Sequence, residues 1–354
     1  GVAITADEVR IRSASESDYA EIAAVYAGGA AGAANSITAG EVLDIGASGR
    51  GNVVAVKAAS GGKNTVSGTS GITVSLDAGT AWDASLGPFN DIRKDLSSKA
   101  IHADGGDNEL GGKSRTVSVT ASSSGPGADA FVGLTGTNLV DQSIAAIAAD
   151  NGGTHTVALD EGLNIVMNTH PEGDAYYSER GTVDGKNVQH TMHVNQASSG
   201  IYAYSGGKND IAVGDLDIDV SSNKAVAGIL ADFEGENEVA VAGDIQLKTA
   251  SEEGEASGIN ASAHNDMSWN PPGGANTVNA GSVPIDAVSR SLATGITAVN
   301  GKNAITLTDK NGEGYALDIA ANAGSGVGSF YGSCGLKATG AESSPGTNEI
   351  HNQG

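Results

Sequence analysis

One short phrase recurs along this chain: small residues with glycine, then an asparagine, then in most copies an aliphatic residue. It reads "AANSI" (Asn35), "GGKNTV" (Asn64), "GGDNEL" (Asn108), "DGKNVQ" (Asn187), "GGKNDI" (Asn209), "GENEVA" (Asn237), "GGANTV" (Asn276), "NGKNAI" (Asn303) and "PGTNEI" (Asn348). A degenerate version, "NGGTHTV" at 151–157, fills the long gap between the third and fourth copies. In the second half a "GI" opens each unit, at Gly200, Gly228, Gly258 and Gly295, in steps of 28, 30 and 37 residues. A fixed phrase at unequal steps describes a coil of constant cross-section carrying loops of variable size, which is the mark of a solenoid.

Within the unit 200–220, "LDIDV" alternates, placing Leu216, Ile218 and Val220 on one strand face and Asp215, Asp217 and Asp219 on the other. Shorter alternations in "IAV" and "IYAY" complete a parse into three short strands per repeat. Between the first two lies "SGGKN", whose glycines and asparagine tolerate the backbone of a corner. Strands joined by corners rather than hairpins pair with their equivalents in the next coil, as a parallel stack. Asn64, Asn108, Asn209, Asn237, Asn276 and Asn303 are then expected at the corner, stacked and hydrogen-bonded along the axis. Turn propensity alone is the simpler alternative. The one helix-like stretch, "DQSIAAIAADN", ends on a glycine-rich corner, so 146–149 are read as strand. The expected fold is an all-β, right-handed parallel β-helix of about ten coils, roughly 50 Å long. It forms a single domain over 1–354, with loop excursions near 82–99, 168–182 and 264–274.

Composition agrees and excludes. Gly is 52 of 354 residues, Pro 7 and aromatics 4%, so the core must be thin and repetitive. Nineteen Lys and Arg against 42 Asp and Glu give a formal charge of −23, which repels nucleic acid and anionic membranes. Cys334 is the one cysteine, ruling out an intramolecular disulfide and a cysteine-based zinc site. No run approaches the roughly 20 apolar residues of a membrane-spanning helix. The opening "GVAITADEV" has no initiator Met and no apolar leader, and reads as a mature or processed chain.

Repeated "GI-x-A-x-x-G-G-x-N-x-I/V" units in an acidic, nearly cysteine-free chain resemble the right-handed parallel β-helix passenger domains of bacterial autotransporters. The resemblance covers nearly the whole chain and rests on repeat style rather than on a diagnostic motif. It implies secretion, or display at the surface of a Gram-negative cell. It also implies that the full-length chain is anchored by an outer-membrane β-barrel beyond "NEIHNQG", where this sequence stops within a coil. Other β-helical surface proteins share the style.

Candidate chemistry is sparse. No G-x-S-x-G and no "GDSG" occurs, which disfavours a serine-protease passenger. "GGDNELGGKS" ends like a P-loop, but Asp107 stands where glycine is required and would repel phosphate. His190 and His193, three apart, point to opposite faces of a strand and cannot chelate together. Asp215, Asp217 and Asp219, about 6.6 Å apart along a strand, are a calcium candidate. A solvated face is the favoured reading, because Gln246 and Lys248 fail to extend the row after Asp244. Ligand contact is expected at aromatics on the excursions: Tyr176 and Tyr177, with His170 and Arg180 nearby, and Trp269 beside a Pro pair. No catalytic residue and no cofactor is assigned. The expected function is a non-enzymatic secreted or cell-surface passenger, an adhesin or structural stalk, with a host or matrix protein or a glycan as partner. Two alternatives stand beside it. A polysaccharide lyase or glycoside hydrolase on the same fold requires carboxylates and a basic residue converging across coils, and a phage tailspike-like protein would be a trimer.

Overall fold

The computed structural model describes every residue except 17–20, 30, 31, 51, 81–93, 96, 124–136, 142, 172–175, 184, 185, 196, 263–271, 309–315, 325–331, 340–344 and 354. For strand residues 80, 94, 95, 123, 137–141, 176–183, 186–195, 332, 352 and 353 it describes the backbone alone.

The chain is a parallel β-helix with three faces. A 9-stranded sheet forms one of them, running from Glu21–Ala27 to Gly332–Thr339. We call it the third face, since it follows the other two in register with the repeat. A 14-stranded sheet folds over the other two faces. The asparagine face follows each corner, as in Glu236–Val241, and the second face comes next, as in Ile245–Ser251. In Val2–Ser15, Ala34–Gly49, Asp107–Ser123, Thr154–Pro171 and Lys208–Ser222 these two faces are one long strand bent at a register shift or a glycine. The parse into three separate strands per repeat therefore holds for some coils and merges to two in others.

Parallel pairing at constant register places the same residue type at the same height in every coil. On the asparagine face Ile37, Val66, Leu110, Val157, Ile211, Val239, Val278 and Ile305 form one inward column. Leu216, Ile218 and Val220 are inward and buried while Asp217 and Asp219 are exposed, as period-2 alternation requires. The inward residues join in one apolar cluster reaching from Val9 to Leu307.

The "GI" repeat has a packing cause. At the middle of the third face the small residues Ala55, Ala100, Ala146, Gly200, Gly228, Gly258 and Gly295 occupy successive coils. A Cβ at Gly200 would lie 2.6 Å from Ile218 Cγ2 and 2.8 Å from the Gly228 carbonyl oxygen. The glycine exists so that the branched side chain of the second face can reach the opposite wall. Gly200→Val is expected to cost about 1–3 kcal/mol by overpacking. Combining it with Ile218→Ala should recover part of that loss, which urea midpoints of the single and double variants would measure.

Asparagine closes each corner. Asn209 Nδ2 donates to the Tyr202 carbonyl (2.8 Å) across the turn and to Asn237 Oδ1 of the next coil (2.7 Å). Asn237 repeats both bonds, to Leu230 O and to Asn276 Oδ1, each at 2.8 Å. The ladder continues through Asn303 to Asn348, and a second run links Asn35, Asn64 and Asn108. Asn187 does not belong to it. Its phrase lies in an antiparallel hairpin, paired with Thr182, and the ladder position between Asn108 and Asn209 is held by His155 from the degenerate copy.

A lateral sheet and a buried polar cluster

A further sheet stands beside the rod. Strands Lys94–Asp95, Thr137–Asp141 and Lys186–Asn195 pair in parallel, and Tyr176–Val183 folds back antiparallel on the last of them. Each of the three parallel strands ends two residues before a strand of the third face, namely Ser98–Asp104, Ile144–Asp150 and Ser198–Tyr204. Backbone hydrogen bonds run through these joints, from Ser98 N to Ser143 O (3.1 Å) and from Ile144 N to Ala197 O (3.0 Å). Insertions at one corner of three successive coils thus assemble into a second ladder that continues the first.

The third face beside these joints is buried on both sides. Strand Ile144–Asp150 is buried at every residue, and outward-pointing Ala145, Ala148, Tyr202, Ala227 and Leu230 form their own apolar cluster. At the same outward level of the preceding coils the side chains are charged. Asp150 Oδ2 accepts from Lys99 Nζ (3.1 Å) and from His102 Nε2 (3.0 Å), reaching back one coil. Lys57, one coil earlier, pairs with Glu21 at 2.7 Å and approaches Asp104 at 3.8 Å. The alanines opposite, Ala145 and Ala148, leave room for these long side chains.

Burial disfavours the charge on Asp150, but Lys99 and the His102 hydrogen bond outweigh it and hold the carboxyl well below the usual range. His102 is pushed down, by burial first and by Lys99 second, so the ring is neutral and Nε2–H is the donor. The cluster keeps its charges inside: Lys99, His102 and Asp150 are 3%, 4% and 8% exposed. It can fasten the coils that carry the lateral sheet, and it offers solvent no open reaction centre. Asp150→Asn is expected to cost about 2–3 kcal/mol, because the carboxylate that pairs with Lys99 and accepts from His102 in a buried site is lost. Since the folded carboxyl titrates below its unfolded value near 4, the wild-type contribution is complete above that value and is lost as pH falls through the folded one. The gap between the denaturation midpoints of the two proteins should be smaller at pH 3 than at pH 7.

The aspartates anticipated as a row are separated in role. Asp215 lies at the bend, where its Oδ1 accepts from the Asp244 amide of the next coil (3.1 Å). Asp217 stands between Asn164 and Gln246, and Asp219 between Val166 and Lys248. Among the described residues no three His, Cys, Asp or Glu side chains gather at metal-binding distance. Tyr176 and Tyr177 begin the outermost strand of the lateral sheet, opposite His193 and Met192, and their side chains lie outside the described residues, as does Trp269. Nothing in the sequence pointed to Lys99, His102 and Asp150, although the outward phase of "SKAIHAD" and "IAAIAAD" puts all three on one face.

Comparison with protein-family models, with curated proteins and with solved structures returned no match to this chain.

Proposed function

We propose that this chain is a non-enzymatic passenger, secreted or held at a bacterial surface, that serves as an adhesin or stalk and binds a host or matrix protein or glycan. The observation that carries the reading is the lateral sheet. A repetitive rod with a filled interior collects its three longest insertions on one flank and organises them as a separate layer. Binding residues commonly sit on segments that a rigid scaffold positions, and this flank is where the scaffold departs from its repeat. The acidic surface and the repeat style support the autotransporter-like assignment, with a membrane barrel as the anchor of a longer protein. The test is a screen on glycan and extracellular-matrix arrays, repeated with the hairpin Tyr176–Asn195 replaced by a short Gly-Ser turn and, separately, with 264–271 so replaced. Loss of a bound ligand in either variant supports the reading. Binding that survives both replacements refutes the role given to these segments.

A second reading, a polysaccharide lyase or hydrolase, draws on one observation. An open depression at the bend between the asparagine and second faces is lined by Asp160, Glu161 and Asp215 over Gly162, Gly214 and Gly243. Lys113 stands against Glu161 at 2.5 Å. Release of unsaturated uronates from polygalacturonate or alginate, abolished by Asp215→Asn, would favour it over the adhesin reading.

A further inference from the structure

Buried charge is distributed unevenly along the rod. Among the described residues the buried charged or imidazole side chains are Lys57, Lys99, His102, Arg115, Asp150, His155 and Asp232. All but the last belong to three successive coils, those with Asn52–Ala59, Ser98–Asp104 and Ile144–Asp150 on the third face. From Ser198 to Thr308 the other buried polar side chains are asparagine, serine and threonine. The corner ladder divides at the same place. It runs unbroken from Asn35 to Asn108 and from Asn209 to Asn348. Between the two runs His155 is in register with Asn209, and both its Nδ1 and Asn209 Oδ1 are buried without a partner. Buried Arg115, with all three guanidinium nitrogens unpartnered, lies in register with Leu163 of the same coil as His155.

This weakly tied coil, Ile144–Asp150 and Thr154–Pro171, also carries the lateral sheet. Thr137–Asp141 leads into it and pairs with Lys94–Asp95 on one side and with Lys186–Asn195 on the other. Two imidazoles make its fastening sensitive to acid. The charged groups that face His155 are His102 and Arg115 from the preceding coil and Asp150 from its own, while the next coil presents the uncharged Asn209. Those that face His102 are Lys99, Asp150 and Lys57. Burial first, and then the neighbouring cations, hold both rings neutral while the coil is closed. The Ala148 carbonyl and Asp150 oppose this at His155, yet its value still falls to about 4. In an opened coil the ring returns to its ordinary value near 6.5. The closed coil therefore keeps its full stability above 6.5 and loses it as pH falls towards 4, because only the open form takes the proton. Asp150 is held low in the closed coil and is ionised in both forms at pH 5, so it does not offset the loss.

We propose that the coil from Ile144 to Pro171 is an acid-released clasp: in mild acid it opens ahead of the rest, frees the lateral sheet from the rod, and leaves the coils from Val226 onward folded. The clasp works whether or not the lateral sheet binds a ligand, so this proposal and the adhesin reading fail separately.

The experiment is hydrogen–deuterium exchange read by mass spectrometry at pH 7 and pH 5, corrected for the intrinsic pH dependence of amide exchange. His155 alone should raise the open population about 20-fold between these two values. Protection in Ile144–Asp150 and Thr154–Pro171 is expected to fall by about tenfold or more, while protection in the strands from Val226–Asp232 to Lys302–Thr308 changes less than about twofold. His155→Asn installs the residue that the ladder uses elsewhere and should keep most of the protection at pH 5. His155→Gln, which also cannot take the proton, gives the same comparison if the asparagine variant does not fold. Protection retained in 144–171 at pH 5 would overturn the proposal. So would a fall of equal size in every coil, which assigns the effect to the falling net charge of the whole chain. A fall that persists undiminished in the folded His155 variant would overturn it as well.

Discussion

Replacing Arg115 by leucine is expected to stabilise the protein, by on the order of 4 kcal/mol. Arg115 lies on the second face, in register with Ile72 in one neighbouring coil and Leu163 in the other. It is 1% exposed, and Nε, Nη1 and Nη2 are all buried without a hydrogen-bond partner. A lone cation inside an apolar column carries a desolvation penalty of several kcal/mol, and leucine is the residue that the next coil uses at that height. Burial pushes the guanidinium down from its usual range to about 9. Below pH 9 both folded and unfolded chains hold the proton and the penalty is constant. Above about 9 the unfolded chain still keeps a proton that the folded chain has released, so stability rises with pH. Lysines and tyrosines titrate in the same range, and the difference between wild type and Arg115→Leu cancels them. That difference in urea midpoint should be largest at pH 8 and shrink by pH 10.5. A less stable leucine variant would show that Arg115 has a partner.

Asn237→Ala is expected to lose about 4 kcal/mol, the largest cost among single substitutions in the ladder interior. The substitution removes the donor to the Leu230 carbonyl, the donor to Asn276 Oδ1 and the acceptor of Asn209 Nδ2, all buried. Each stranded buried group costs about 1–3 kcal/mol. His155 gives the converse experiment within the same molecule. Its Nε2 bonds the Ala148 carbonyl at 2.7 Å, while its Nδ1 and Asn209 Oδ1 are both left without a partner. A neutral imidazole has one N–H, already used at the corner, and cannot pass a donor to the next coil. His155→Asn is expected to join the two runs and gain about 1–2 kcal/mol. It should also change the acid limb. Burial pushes His155 down to about 4, so as pH falls from 6.5 towards 4 the unfolded chain binds a proton that the folded chain refuses. Wild type should lose stability across that window, and the asparagine variant should lose less.

The solenoid was legible because parallel stacking makes sequence repetition and spatial superposition the same fact. "LDIDV" alternates because one wall faces the core, and "GGKN" recurs because every coil must turn the same corner. The lateral sheet is less legible: "DGKNVQ" reads as one more copy of the phrase, yet Asp-Gly between alternating runs is also the strongest short-range hairpin signal, and Val183 pairs with Lys186 across it. Period-2 reading of "SRTVSVT" would have put Arg115 inward with Val117 and Val119, a conflict that only the register with Leu163 makes plain. The Lys99, His102 and Asp150 cluster was hidden for a different reason. Its members are 48 and 51 residues apart, and what brings them together is coil height, which no local window contains.

The corner bond also bears on how such a rod can be altered. Asn209 bonds a carbonyl 7 residues back and Asn303 one 6 residues back, but Asn348 reaches 11 and Asn276 reaches 16, with hydrogen bonds of 2.7–2.8 Å throughout. The side-chain amide pins the two ends of the connection and leaves its contour length free. Closing a 16-residue connection instead of a 6-residue one costs only about 0.9 kcal/mol in chain entropy. A foreign peptide grafted between the carbonyl and the asparagine of any coil would therefore meet a nearly flat penalty, and the rod could serve as a display scaffold on which epitopes are set out at the spacing of adjacent strands.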